Sequence, residues 1–334
     1  MRKLIITKNE ANQRLDKYLS KYLKESTKSF LYKMMRKKNI LLNDKKAQGN
    51  EKLQVGDEIS LYMRDETIEK FKGERIPQVT IGNSQFKNWI LFEDDNILVL
   101  NKPYGVLSQK SKPEDVSVVE MFIAYLLEEG KLTETELESF TPGICNRLDR
   151  NTSGIIVAGK SLQGLQKMNE LFKSREIKKY YLCLVKGVVR ERGELRGSLT
   201  KDERSNKVKV STHGKEAIET HYEPIGVSKE VSLLRVHLIT GKTHQIRAHL
   251  ASIGHPIIGD FKYGNEKVNQ MYKEKYHLKH QLLHAFMLEF PSMEGEFQNL
   301  NKRQMKAPIP QIFKKVTEEI QWQHGIQEDL EVRD

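Results

Sequence analysis

The sequence predicts an α+β chain: a small basic N-terminal α/β module joined to a larger domain on a mixed, largely antiparallel sheet. Three observations carry that prediction. At 334 residues the chain exceeds what one ordinary core accommodates, so two domains follow. Charge divides the chain in the same way, because residues 1–65 hold 16 Lys/Arg against 8 Asp/Glu, a net of +8 out of +11. From Trp89 onward, strand-length apolar runs mix with helical patterns without a regular β-α-β repeat. The expected division is 1–65 for the basic module, 66–85 for a linker, 86–322 for the larger domain and 323–334 for a tail.

In the module, Leu15, Tyr18, Leu19, Tyr22 and Leu23 recur at helical spacing, as do Phe30, Leu31, Met34 and Met35. Ser26 or Thr27 caps the second helix. Short strands follow at 40–43 and 58–61, the second entered through a Gly56-Asp57 turn. Seven basic residues between Lys28 and Lys46, against the single acid Asp44, lie opposite or beside the apolar stripe. Residues 66–85 lose the periodicity and contain Gly73, Pro77, Gly82 and Asn83, hence the linker. Trp89–Phe92 and Ile97–Leu100 flank Glu93-Asp94-Asp95-Asn96 as a β-hairpin. A helix over 116–127, capped by Asp115 or Ser117, stops at Gly130. Strands are expected at 154–158, 180–185 and 231–238, and helices at 162–173 and 243–253. The last twelve residues carry four acids and one Arg and read as a frayed end.

Composition excludes several classes. Apolar residues at 38% are enough for packed cores, so the chain is not disordered. Runs such as Ile155-Ile156-Val157-Ala158 fall far short of the roughly 20 residues of a membrane span. Arg2, Lys3 and Lys8 charge the N-terminus before a signal-peptide core can form, so a cytoplasmic protein without membrane contact is expected. Cys145 and Cys183 are the only cysteines, which indicates neither a disulfide framework nor a thiolate zinc site. His277, His280 and His284 fall at i, i+3 and i+7, but no His-Glu-x-x-His pattern accompanies them, and no metal site is expected. No glycine-rich phosphate loop is present, so no nucleotide cofactor is implied. The concentrated positive charge suggests a polyanion-binding appendage, with a solvated charged face as an equal reading of charge alone.

One stretch stands out for chemistry: Asn146-Arg147-Leu148-Asp149-Arg150-Asn151-Thr152-Ser153-Gly154-Ile155-Ile156-Val157. A carboxylate flanked by two arginines runs through a small polar turn into a buried strand. It would be rigidly placed at the strand's mouth and kept ionised by neighbouring positive charge. An ordinary salt-bridged turn is the plainer reading, and Arg-Leu-Asp alone does not decide, since it recurs at Arg14-Leu15-Asp16 where a helix begins. A glycoside hydrolase would need a second carboxylate as acid, which the motif does not supply.

The whole string resembles the catalytic segment of the RluA family of pseudouridine synthases, His-Arg-Leu-Asp-x-x-Thr-Ser/Thr-Gly followed by apolar residues. Asn146 stands where the family has His. Further segments match in order: Asn101-Lys102-Pro103-Tyr104-Gly105 resembles the Lys-Pro-x-Gly loop, and Lys179-Tyr180-Tyr181-Leu182 the Lys-x-Tyr-Leu strand. Gly241-Lys242-Thr243-His244-Gln245-Ile246-Arg247 resembles Gly-Arg/Lys-Thr-His-Gln-Ile-Arg, followed by Gly254-His255-Pro256-Ile257-Ile258-Gly259-Asp260 and Leu283-His284-Ala285. The likeness spans about residues 90–292. Residues 12–62 separately resemble the small RNA-binding module named after a ribosomal small-subunit protein, as in the RluC and RluD branches.

The resemblance implies an isomerase that moves uracil's bond to the sugar from a ring nitrogen to a ring carbon. That reaction requires no redox step, metal or cofactor. Asp149 would be the nucleophile, at the sugar or at the uracil ring. Arg247 would pair with Asp149 and hold it charged, and Tyr181 would lie on the uracil face with its hydroxyl placed for proton transfer. Arg147 would fill the gap left by the extruded uridine. Lys102 and the N-terminal Lys28, Lys33, Arg36 and Lys37 are expected RNA contacts. The implied substrate is structured RNA, with large-subunit (23S) ribosomal RNA favoured by the N-terminal module. Transfer RNA, or a non-catalytic RNA-binding ribosome-assembly factor, are the alternatives, and the intact Asp149, Tyr181 and Arg247 set counts against the second.

Overall fold

The computed structural model describes residues 1–7, 10–72, 83–112, 114–202, 207–211 and 217–325. Its N-terminal unit runs β1 (Arg2–Ile5), α1 (Leu15–Tyr22), α2 (Lys28–Arg36), β2 (Ile40–Leu42), β3 (Lys45–Lys46), β4 (Glu58–Leu61) and α3 (Asp65–Lys72). The strands form one antiparallel sheet in the order β1-β4-β2-β3. Leu15, Tyr18, Leu19 and Tyr22 are buried on one face of α1, as the spacing predicted. Thr27 caps α2, its Oγ1 accepting from the Phe30 N–H at 3.2 Å. Leu31 and Met35 turn into the core, while Lys28, Lys33, Arg36 and Lys37 stand exposed.

Residues 66–72, expected as linker, are instead the body of α3. Ile68 is fully buried in the N-terminal core, and Phe71 packs on Phe30 with ring centroids 4.6 Å apart. Two apolar residues one turn apart among six charged or polar neighbours are too few to register as a periodic pattern, yet enough to dock a two-turn helix. Of the remaining linker positions, 73–82 lie outside the described residues and 83–85 are instead the start of helix α4 (Asn83–Lys87). Of the expected tail, residues 326–334 also lie outside them.

The larger body continues with α4 (Asn83–Lys87), β5 (Ile90–Glu93), β6 (Ile97–Lys102), α5 (Val118–Glu128), α6 (Glu134–Ser139), β7 (Gly143–Ile144), β8 (Ser153–Gly159) and α7 (Leu162–Ser174). Then come β9 (Lys178–Lys186), β10 (Gly193–Asp202), β11 (Lys207–Ser211), β12 (Ala217–Val227), β13 (Val231–Leu238), α8 (Gln245–Ser252), α9 (Glu266–Tyr276), β14 (Leu283–Glu289), β15 (Gln304–Lys306), α10 (Gln311–Glu318) and β16 (His324–Gly325). One sheet threads them in the order β11-β10-β12-β13-β9-β14-β8-β6-β5. Every pairing along it is antiparallel except β14 with β8, so the mixed, largely antiparallel α+β expectation holds. The expected tail begins inside the fold, since β16 pairs with β12.

Alternation along the central strands builds cores on both faces of the sheet. On β9, Tyr181, Cys183 and Val185 face the core covered by α5 and α8, while Leu182 and Leu184 face the one covered by α9 and α10. On β8, Ile156 and Ala158 join the first core and Ile155 and Val157 join that under α7. A strand buried on both faces has no polar alternation, which is why 154–158 was legible as an unbroken apolar run. The parallel β8–β14 pair brings its backbones unusually close at Gly154. A Cβ there would lie 2.2 Å from the Ala285 carbonyl oxygen, and its φ of +114° suits glycine alone.

Candidate active site

The segment ahead of β8 is fixed by side chains from both flanks. Asn146, in the place of the expected His, donates from Nδ2 to the Ile155 carbonyl at 3.0 Å and accepts from the Val157 N–H at 2.8 Å. It thereby stitches its loop onto β8. Ser108 Oγ donates to the Leu148 carbonyl at 2.7 Å and accepts from the Leu148 N–H at 3.0 Å. On the other side the Thr152 N–H returns to the Asp149 carbonyl at 3.0 Å. Asp149 is thus held by its neighbours on both sides, with its side chain 24% exposed at the floor of a cleft.

The charge that meets Asp149 comes from far along the chain. Arg247 of α8 donates from Nη1 to Asp149 Oδ2 at 2.7 Å. Its Nε and Nη2 donate to Asp260 Oδ2 and Oδ1 at 2.7 and 2.9 Å. Asp260 is fully buried and also accepts from the Lys262 and Tyr263 backbone N–H groups. Burial pushes its carboxyl up, but the Arg247 guanidinium and those donors more than reverse this, and it ends below the ordinary carboxylate range. The arginines flanking Asp149 in sequence do not serve it. Arg147 reaches Gln109 at 3.3 Å and Arg150 donates to the Gly105 carbonyl at 3.0 Å. The expectation that the adjacent arginines sit on Asp149 is corrected accordingly: the cation in contact with it is Arg247.

Tyr181 of β9 lines the same cleft and is buried. Burial first, and then the Asp149 charge, raise its phenol above the ordinary range, so it is protonated in the free enzyme. His244 opens α8 in the left-handed region at φ +57°, with Nε2 3.9 Å from Asp149 Oδ2 and Nδ1 3.1 Å from the Tyr263 hydroxyl. Gln245 holds the loop before α8: Oε1 accepts from Thr240 Oγ1 and the Lys242 N–H, and Nε2 donates to the Glu219 carbonyl and Thr220 Oγ1. Sequence reasoning quoted Asp260 within a motif without a role and read His244 only as an RNA-facing or core histidine; the signal was their place in those strings.

The cleft has a volume of about 640 Å³ and brings together Asp149, Tyr181, Arg247 and Arg147. Asp149 is the only acid among its described lining residues. Arg147 is exposed at its rim. Lys28, Lys33, Arg36 and Lys37 are not among the lining residues and sit exposed on the N-terminal unit. Lys102 is not available to RNA. It is fully buried, and its Nζ donates to the carbonyls of Pro103, Val106 and Arg150 at 2.9, 3.0 and 3.2 Å. Burial brings its ammonium down to about 7, partly opposed by Asp149. It ties the Lys-Pro loop to the residue after Asp149 from behind. Of the histidines weighed as ligands, His280 stacks on Tyr104 with centroids 3.5 Å apart, and His284 bonds Ser153 at 2.8 Å.

A family model for RNA pseudouridylate synthase matches residues 96–252, and a model for the S4 domain matches residues 13–59. The ribosomal large subunit pseudouridine synthase C of Buchnera aphidicola subsp. Baizongia pistaciae is 32% identical over 94% of this chain and 95% of its own length. The chain belongs to the RNA pseudouridylate synthase family. The synthase C of Salmonella typhimurium is 33% identical over 85% of this chain and 87% of its own. In fold, the chain is similar to human RNA pseudouridylate synthase domain containing 4, with a TM-score of 0.56 at 20% identity over 73% of this chain and 97% of that one. The enzyme is therefore an RNA pseudouridine synthase, an isomerase with RNA as its partner. Among the described residues no helix is long and apolar enough to cross a membrane.

Proposed function

We propose that this enzyme converts uridines of large-subunit ribosomal RNA to pseudouridine, with Asp149 as nucleophile, Arg247 as its charge partner and Tyr181 as the proton-handling group. The observation that carries the site assignment is the Asp149–Arg247–Asp260 chain at the floor of the cleft. One guanidinium between two carboxylates leaves the group net negative, and the exposed end of that negative charge is Asp149. A carboxylate so aimed is already oriented to attack, at the sugar or at the uracil ring. The glycosidic bond to nitrogen breaks and one to carbon forms. The carbon's proton leaves and the freed nitrogen gains one, so no oxidant or cofactor enters the balance. Tyr181, protonated and beside Asp149, is the group in reach of that exchange. The extruded base leaves a gap in the RNA that Arg147, exposed at the rim, fills.

The ribosomal target is supported by the names of the relatives, which act on the large subunit, and by the S4 match with its exposed basic helix α2. Domains are proposed at 1–72 and 83–325, each with its own core. Pseudouridine mapped by chemical-adduct reverse-transcription stops, in RNA from cells with and without the gene, tests the reading. A stop in large-subunit RNA that disappears with the gene is expected. A stop lost only from transfer RNA would move the substrate, and no lost stop would end the proposal.

A further inference from the structure

Lys179 is a cation with no anion beside it among the described residues. It lies on β9 two residues before Tyr181, so both side chains rise from the same face of the strand, about 7 Å apart along it. Like Tyr181 it lines the cleft, and it is only 9% exposed. A Cβ added to Gly241 would meet its Nζ at 3.7 Å, which places the ammonium across from the loop that leads into His244 and Arg247. Among the described residues that ammonium has no hydrogen bond and no ion pair. Arg247 is already shared between two acids, Lys110 reaches Glu120 at 4.0 Å, and Arg147 has Gln109.

Asp149 is not the missing partner. Its charge acts on the Lys102 ammonium, whereas the charged neighbour that acts on Lys179 is another cation, Arg175. Burial brings the Lys179 ammonium down to about 8, and no anion among the described residues offsets that cost. A cation left so in a cleft is satisfied by what enters it. The sugar and base of uridine are uncharged, and the anion that RNA brings is its backbone phosphate.

We propose that Lys179 is the phosphate seat of the cleft: its ammonium binds a non-bridging oxygen of a backbone phosphate adjoining the extruded uridine. The assignment rests on the proposed function, and it adds a substrate-binding residue outside the Asp149, Tyr181 and Arg247 set. The seat fixes the nucleotide through its backbone while Asp149 and Tyr181 meet its sugar and base. It therefore contributes to binding whatever the neighbouring sequence.

The test uses the full-length enzyme and a short RNA carrying the mapped target uridine. A methylphosphonate, which removes the charge, replaces the phosphate on one side of that uridine or the other, with 2′-O-methyl groups in the matched controls. Lys179→Met should melt at the same temperature as wild type or higher, because a buried unpaired charge is gone. It should bind the RNA about ten- to a hundredfold more weakly, with a salt slope shallower by about 0.7–0.9. Lys179→Arg should recover most of the affinity. One of the two methylphosphonates should weaken wild type by a similar factor and cost Lys179→Met nothing further. Additive losses at both linkages, or a lower melting temperature with unchanged RNA binding, would overturn the seat while leaving the enzyme's activity standing. A wild-type enzyme that modifies no uridine in any RNA would take down the functional reading and the seat with it.

Discussion

Replacing Arg247 should separate catalysis from folding in a way the geometry makes quantitative. The guanidinium donates three charge-assisted hydrogen bonds, one to Asp149 and two to Asp260. Arg247→Met strands the Asp260 charge in a fully buried site, a loss of about 3–5 kcal/mol, or on the order of 10 °C in melting temperature. It also removes the 2.7 Å bond that aims Asp149, which at about 1.5–3 kcal/mol predicts a fall in single-turnover rate of about ten- to a hundredfold or more. Asp260→Asn added to Arg247→Met removes the stranded charge and keeps an oxygen for the Lys262 and Tyr263 N–H groups. The double variant should therefore regain most of the lost stability and none of the lost rate. Arg247→Lys keeps the charge but not the fork, and should retain part of the activity. Thermal melts and single-turnover assays on the same preparations decide the matter. A double variant that regains rate along with stability would show that Arg247 serves only the fold.

Three further outcomes follow from the same geometry. Tyr181→Phe keeps the ring in the cleft wall but removes the hydroxyl; the rate should fall with RNA affinity unchanged, and a normal rate would reduce Tyr181 to a packing surface. Reversing charge at Lys33, Arg36 and Lys37, all exposed on or just after α2, should weaken RNA binding and flatten its salt dependence by roughly 0.7–0.9 per lost phosphate contact. Identical salt slopes would mean a plain solvated face. His284 and His249 are buried and brought down to about 4 by that burial, so they stay neutral in the fold while an unfolded chain protonates them below about 6.5. The unfolded state then binds more protons, so their contribution is present above about pH 6.5 and is lost as pH falls toward 4. Urea unfolding at pH 5 should show about 2 kcal/mol less stability per histidine than at pH 7, and His284→Gln should show a smaller difference.

What the sequence made legible were features written locally. Thr27 ahead of an amphipathic stripe announced α2, and the unbroken apolar run of β8 announced a strand buried on both faces. The placement of Asp149 ahead of β8 was legible for the same reason, since its loop and strand are one continuous string. What stayed hidden depended on segments meeting across the fold. Asp260 reads as an ordinary loop acid until α8 delivers Arg247 to it, 13 residues away in sequence. Lys102 reads as an exposed loop cation until three carbonyls from two loops close over it. The arginines beside Asp149 misled for the converse reason, because adjacency in a turn does not set where a long side chain points. Helix α3 was lost among charged residues because Ile68 and Phe71 carry its whole apolar face.

The central claim is that the Asp149 carboxylate itself performs the chemistry, and Asp149→Asn tests it most directly. The amide keeps the side chain's size and an oxygen for Arg247 Nη1, so RNA affinity and melting temperature should stay close to wild type. Single-turnover conversion of the mapped uridine, followed by mass spectrometry of the digested RNA, should fall below about a hundredth of the wild-type rate, because an amide cannot replace a carboxylate nucleophile. A variant that binds RNA normally and still converts uridine faster than that would contradict the account.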